Sequence, residues 1–518
     1  MNANQNRPAV NPWLVTMAVM LAAFMEVLDT SIANVALKYI AGSLSVSTDE
    51  STWVLTTYLI SNAIVIPTTA WFGLRFGRKR FLLTCTAIFT IASFLCGLST
   101  SLPMLLLMRV IQGAGGGALQ PIAQTVMLES FPEEKKGVAM GVYSLGVVIA
   151  PILGPVLGGW ITDNYSWRWI FFINIPVGIL AVFLMNLFVH DPEWVRDAKP
   201  PRLDIIGFSF MSLWLGAQEV LLDKGQEDDW FGSHFISWMA VLAVIGFVVF
   251  VIREMTTDKP FINFCVLKNY NFSLGMILMF CTGITLYGMT AIVPLYLQAL
   301  MGYTAYQSGL AMIPRGLGAL VAMPMAGRLL SKVQGRYLVA IGFLTFAISS
   351  LAMSRITTDI APSNLFWPLF LSGFSIGFMI VPLNTQSLGA LKPEEIGNGS
   401  GIFNLMRNVG GSVGISLVTT LEQRAALRHQ VFLAGHMTPY DPAYISRLHA
   451  ASSVYAMDSG VFEGHHQALG AMYNTLLSQA NLVAYMEVFV VFALGGVVCI
   501  AGGLLMKKIT SHGPIMAE

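Results

Sequence analysis

Apolar residues in this chain come in long unbroken runs rather than in alternating or amphipathic patterns. The runs lie at 13–39, 52–73, 81–98, 103–127, 138–162, 168–189, 204–222, 235–252, 271–296, 307–330, 337–354, 364–387, 399–421 and 481–506. Each is about 20 residues, enough for a helix to cross a bilayer's hydrocarbon core. The pattern predicts an all-α membrane protein with fourteen transmembrane helices. An even number puts both termini on one side. Joining stretches are short, apart from a charged, proline-bearing linker at 190–202 and a segment at 422–480 rich in His, Tyr, Ser and Ala.

Charge in the joining stretches sets the orientation. The terminal side carries 19 Lys and Arg: Arg7, Arg75, Arg78, Lys79, Arg80, Lys135, Lys136, Arg196, Lys199, Arg202, Arg253, Lys259, Lys268, Arg328, Lys332, Arg336, Lys392, Lys507 and Lys508. The opposite side carries 7. The excess predicts cytoplasmic termini and places 422–480 outside. A basic, glycine-punctuated turn follows helix two (Gly73-Leu74-Arg75-Phe76-Gly77-Arg78-Lys79-Arg80), with a weaker echo at 327–336 after helix ten. That echo fits two six-helix halves, helices 1–6 and 9–14, with 7–8 inserted; repeated halves around a midplane site are a common transporter plan. The expected division is 1–190, 191–268 and 269–518, the last including the outer segment 422–480.

Composition sharpens the class. Of 518 residues 55% are hydrophobic and 11% charged, with mean hydropathy +0.67, against about 25% charged in soluble domains. A net charge of +1 argues against a nucleic-acid partner. Cys85, Cys96, Cys265, Cys281 and Cys499 are scattered without a C-x-x-C pair, so they suggest neither disulfide nor metal. No small-residue cleavage site follows the first run, which is expected to stay as a helix. There is no G-x4-G-K-[ST] sequence for ATP. One charge crossing ~100 mV is worth about 2.3 kcal/mol, so a proton gradient, with no bound cofactor, is the expected energy source.

Charges inside the apolar runs are few. They are Glu26, Asp29, Arg109, Glu219, Arg315, Arg407 and Glu487. Each costs ~2.5–3.5 kcal/mol at the bilayer centre on insertion scales, so each is a candidate for function. Glu26 and Asp29 are three apart and share a helix face, which should point at a cavity or a partner. Arg109 and Gln112 put donors on one face of helix four, before Gly113-Ala114-Gly115-Gly116-Gly117. Glu219 and Glu487 lie near helix ends, where an interfacial acid is the plainer reading. In helix five, Pro151 and Pro155 remove helix hydrogen bonds. Gly154 and Gly158, followed by Gly159, make a close-packing face.

The outer segment holds His436 and Asp441 at an H-x4-D spacing, and His465-His466. The first pattern is too loose for an acyl-transfer site, and the second lacks further spaced ligands for a metal.

Leu28-Asp29-Thr30-Ser31-Ile32-Ala33-Asn34-Val35-Ala36-Leu37 resembles the first-helix signature of the 14-helix drug:proton antiporters of the major facilitator superfamily. Residues 73–80, 109–117 and 146–159 resemble that family's loop 2–3, helix-four and helix-five motifs, and 163–178 with the long outer segment resembles its EmrB-type branch. The resemblance implies a multidrug:proton antiporter of the bacterial inner membrane, not an enzyme, exporting hydrophobic drugs. Its implied partners are a periplasmic adaptor and an outer-membrane channel. It also implies that Asp29 and Arg109 couple protons to substrate. Two places depart from the pattern: Leu74 stands where the loop motif has an acid, and Lys38 where the first-helix motif often ends in proline. An exporter or importer dedicated to one metabolite, and a membrane enzyme or receptor using the outer segment, are the alternatives.

Overall fold

A computed structural model describes residues 11–191, 195, 204–257, 262–357, 360, 362–392 and 395–507. Most of the 190–202 linker, and the basic residues Arg7, Arg196, Lys199, Arg202, Lys259 and Lys508, lie outside the described residues. Thirteen helical stretches among the described residues are long and apolar enough to cross a membrane. Spans one to six are Pro12–Leu37, Glu50–Phe76, Arg78–Gly97, Leu102–Ser130, Lys135–Asn164 and Trp169–Phe188. Spans seven to twelve are Ile205–Lys224, His234–Thr256, Tyr270–Leu300, Tyr306–Leu329, Gly335–Met353 and Ser363–Leu388. The last is Val461–Leu504. Between them the helix Ile396–Ala434 occupies the thirteenth place, its hydropathy lowered by Asn404, Arg407 and Asn408. This is the fourteen-helix arrangement, built on local signals. Asn11 caps the first helix ahead of Pro12, and Ser47 with Glu50 forms a capping box at the second.

The packing of the spans repeats along the chain. The first span packs on the fifth, the second on the fourth, and the third on the fourth and sixth. The same pairings recur eight spans later: ninth on thirteenth, tenth on twelfth, eleventh on twelfth and fourteenth. Spans seven and eight pack on each other, and the seventh also reaches the second and thirteenth. The fourth span's glycines let it sink between its neighbours: a Cβ on Gly113 would lie 2.4 Å from the Tyr58 carbonyl, and one on Gly115 2.8 Å from the Cys85 carbonyl.

The segment at 422–480 is mostly helical, despite its polarity. The thirteenth helix runs on to Ala434, a helix Pro442–Ser459 returns, and Val461–Leu504 begins outside the bilayer and continues into the last span. Hydropathy reports where a helix leaves the membrane, not where it stops: 422–434 has no proline or glycine to end it. Asp441 caps the returning helix and Gly460, at φ 85°, turns the chain into the next. The result is a helical hairpin on the side opposite the termini.

In the fifth span Pro155 cannot donate to the carbonyl of Pro151, one turn earlier. Ser31 Oγ of the first span donates to that carbonyl instead, at 3.0 Å. Gly154 makes room for this contact: a Cβ there would come within 2.2 Å of Ser31 Oγ, whereas one on Gly158 would meet the Ile32 carbonyl at 3.3 Å. Gly159, also buried, accepts from Thr162 through its carbonyl at 3.1 Å. Gly154→Ala is therefore expected to lower thermal stability in detergent and slow transport, with Gly158→Ala much milder. Equal effects of the two would overturn the assignment of the close contact to Gly154.

Candidate functional site

Glu26 and Asp29 lie on the same helix, yet they face different surroundings. Three residues at 3.6 per turn leave their directions about 60° apart, and the bundle boundary passes between them. Asp29, 2% exposed, points into the first half. Its Oδ2 accepts from Arg109 Nη1 at 2.6 Å, and its Oδ1 accepts from Gln112 Nε2 at 2.8 Å and Asn174 Nδ2 at 2.6 Å. Arg109, 0% exposed, also donates through Nε to the Val54 carbonyl at 2.9 Å and through Nη1 to Gln112 at 2.9 Å. Its guanidinium carbon lies 4.2 Å from the centre of the Tyr58 ring. Nη2 has no hydrogen-bond partner among the described residues. The first, second, fourth and sixth spans thus meet on one buried ion pair.

Glu26 instead faces the boundary between the halves. Asn62 Nδ2 donates to its Oε1 at 3.0 Å, Tyr58 to the same oxygen at 3.2 Å, and Gln120 Nε2 to Oε2. The Gln120 carbonyl oxygen in turn accepts from Arg407 of the thirteenth helix. One amide therefore bridges an acid of the first half and a base of the second. A small cavity here, too narrow in this conformation to hold a water, is lined by Glu26, Asn62, Gln120, Asn404, Arg407 and Asn408. Arg407 Nε, buried in this wall, has no hydrogen-bond partner among the described residues. One turn nearer the termini, Gln124 donates to Asn384 at 2.8 Å and accepts from Ser400 and Asn404 at 2.8 Å each, closing the boundary on that side.

Of the two carboxylates on the shared face, Glu26 borders the cavity, and Asp29 meets a partner, Arg109, inside the first half. The other intramembrane charges divide likewise. Arg315 donates to Thr290 at 2.9 Å and the Leu286 carbonyl at 3.0 Å, within the second half and away from the cavity. Glu219 is buried and accepts from Ser412 at 2.9 Å. Glu487, with its side chain 42% exposed, pairs with Arg428 and, at 2.8 Å, with His429 of the hairpin's first helix. His436 and Asp441 have local roles, a bond to the Phe432 carbonyl and a helix cap.

Near the termini, the loop motif finds another acid where Leu74 lacks one. Arg78 pairs with Glu129 at the end of the fourth span, and the Lys79 amide donates to Asp191 at 2.8 Å. Gly73 is buried against the Arg78 side chain, and Gly77 turns the chain at φ 84° with Asp191 packed too close for a Cβ. Sequence reading missed the amides that build the site: Asn62, Gln120, Gln124, Asn174, Asn404 and Asn408. The available signal was their helical spacing, Gln120 and Gln124 on one span and Asn404 and Asn408 on another.

The sequence profile of the Major Facilitator Superfamily matches residues 19–415. The chain belongs to this superfamily. Within it, the chain is 36% identical over 488 residues to the multidrug export protein EmrB of Haemophilus influenzae, covering 93% of each. It is 36% identical over 476 residues to the fatty acid resistance protein FarB of Neisseria gonorrhoeae, covering 92% of each. These place it in the EmrB-type branch of the superfamily. Among solved structures, a bacterial homologue of the human lysosomal transporter Spinster, inward-facing and unoccupied, matches 98% of this chain and 100% of its own with TM-score 0.55 at 15% identity. That likeness shows the major facilitator fold.

Proposed function

We propose that this protein is a proton-driven exporter of hydrophobic and amphipathic drugs in the bacterial inner membrane, with both termini in the cytoplasm and the helical hairpin in the periplasm. The observation that carries the reading is the bridge Glu26–Gln120–Arg407, which joins the two halves through a titratable acid. An ionised Glu26 accepts from Gln120, whose carbonyl then accepts from Arg407, and the halves stay bonded. A proton on Glu26 removes the charge that Arg407 balances and loosens the bridge, so the halves can rock and expose the cavity alternately. Drug and proton compete for this boundary. The Asp29–Arg109 pair holds the first half as a rigid body while it moves, and links its charge to the cavity wall through Tyr58, which touches both clusters.

The EmrB relative, named for multidrug export, supports breadth of cargo. FarB, named for fatty acid resistance, favours a second reading together with Arg407 in the cavity wall: amphiphiles bearing a carboxylate are among the substrates. A periplasmic adaptor that passes substrate to an outer-membrane channel is the partner proposed for the hairpin, and the proton gradient takes the place of a cofactor.

The deciding measurement is drug-stimulated proton release from proteoliposomes. Glu26→Gln keeps the size and the donors around it and should lower coupled release at least about tenfold, the loss of one charged interaction of ~1.4 kcal/mol or more. Drug binding in detergent should survive. Native coupling in Glu26→Gln would overturn the role of this acid.

A further inference from the structure

The seventh span belongs to neither six-helix half, yet its end nearest the hairpin is bonded to both. Toward the second half, Glu219 accepts from Ser412 Oγ, 2.9 Å from each carboxylate oxygen, and Gln226 donates to Gln423 at 2.8 Å. Toward the first half, Asp223 accepts from Thr56, and Lys224 donates to Thr52. Lys224 also pairs with Glu227 at 2.6 Å and lies 5.7 Å from the Trp53 ring. The first-half side therefore includes a buried ammonium. The second-half side has only neutral donors.

Glu219 is 6% exposed, and among the described residues its carboxylate is bonded only to the Ser412 hydroxyl. Charged groups surround it without pairing. On its own span are Asp223 and Lys224, engaged with the second span. The second span offers Thr56, and its Tyr58 is bonded to Glu26. On the thirteenth helix, Arg407 is bonded to Gln120, and Glu422 lies about three turns beyond Ser412. The eighth span presents Phe247 and Phe250 against Trp214, and its His234, Arg253 and Glu254 lie at its ends.

An ionised carboxylate in such surroundings, with one neutral donor, is costly. A neutral carboxyl keeps the same hydroxyl contact without that cost. Parting the seventh span from the thirteenth would hydrate the group and remove the penalty on its charged form.

We propose that Glu219 is a proton-operated latch for transport. With a proton on its carboxyl group, the seventh span stays bonded to Ser412 and the hairpin-side mouth is closed. Parting of the thirteenth helix from the seventh span hydrates the carboxyl group, and loss of its proton to water on that side then holds the mouth open. The inserted pair of spans thereby gives the pump a second proton-sensing position, distinct from Glu26, at the mouth where cargo leaves. An acidic exterior reloads Glu219 after release and closes that mouth. The assignment of this mouth as the exit rests on the exporter reading; the latch itself rests on the Glu219–Ser412 contact.

The test uses the full chain with its five cysteines replaced by serine and reconstituted in nanodiscs. Spin labels go at Tyr165, 61% exposed, and Leu427, 63% exposed, which lie on the hairpin side of the first and second halves. Distances are read by electron double resonance between about pH 5.5 and 8.5, on either side of neutrality. The long-distance population should grow about fivefold with rising pH, a coupling of ordinary size. Glu219→Gln should stay short at every pH. Ser412→Ala leaves the acid in place and should raise the long population at each pH. Glu26→Gln should lose coupled transport while keeping the distance response, which separates this proposal from the previous one. A native pH response in Glu219→Gln, or its loss in Glu26→Gln alone, would overturn the latch.

Discussion

Asp29→Asn is expected to remove both proton-coupled transport and much of the protein's stability. The amide fits the space, so the loss is one of charge. Arg109 has no exposed surface and would keep its guanidinium without a counter-charge in the middle of the first half. Breaking a buried pair from one side typically costs about 3–5 kcal/mol, most of it the burden of the orphaned partner. Removing both charges should cost less. The double variant Asp29→Asn/Arg109→Gln is therefore expected to regain much of the melting temperature in detergent while remaining inactive in proteoliposomes. Two results would count against this account. Native-rate transport by Asp29→Asn would show that its charge plays no part in coupling, and a double variant no more stable than the single would show that the orphaned arginine is not the cause.

The second large effect concerns the hairpin. Tyr440 is 93% exposed, Met457 84%, Val461 83% and Phe462 77%. Aromatic residues and methionine are enriched where proteins meet partners, and no step at the bilayer midplane needs them. Gln430 donates to the Tyr473 hydroxyl at 3.2 Å, which marks where the two extended helices can be joined by a short bridge. Replacing 431–472 with a Gly/Ser linker keeps Arg428 and His429 on Glu487 and leaves every span intact. The shortened protein should bind drug in detergent as before. It should no longer co-purify with a periplasmic adaptor, and cells carrying it should lose resistance. Undiminished co-purification would place docking elsewhere on the molecule.

Much of this was legible in the chain because the bilayer makes local sequence decisive. Every backbone amide in hydrocarbon must be bonded within its own helix, so a run of apolar residues is by itself enough to specify a span. The fourteen runs mark fourteen helices, with ends mostly within a few residues of their caps. Where this constraint stops, so did the reading: past the membrane, 422–434 stays helical for reasons of propensity that hydropathy does not see. Rarity also singled out Glu26, Asp29 and Arg109, since an intramembrane charge is too costly to be incidental.

What the sequence could not determine is which of these groups meet. Arg109 reaches Asp29 across 80 residues and Arg407 reaches Gln120 across 287, distances over which spacing carries no information. The 60° between Glu26 and Asp29 matters only because the boundary between the halves passes through it. The same holds for Arg78, which pairs with Glu129 because the ends of the third and fourth spans are brought together, although Leu74 occupies the position where an acid was expected. Apolar length determined the spans and rarity picked out the charges, because both act through solvation of one residue at a time. Pairing is a property of two residues held by different helices, and only the packing of the halves decided which acid was locked in a bundle and which was left facing the cavity.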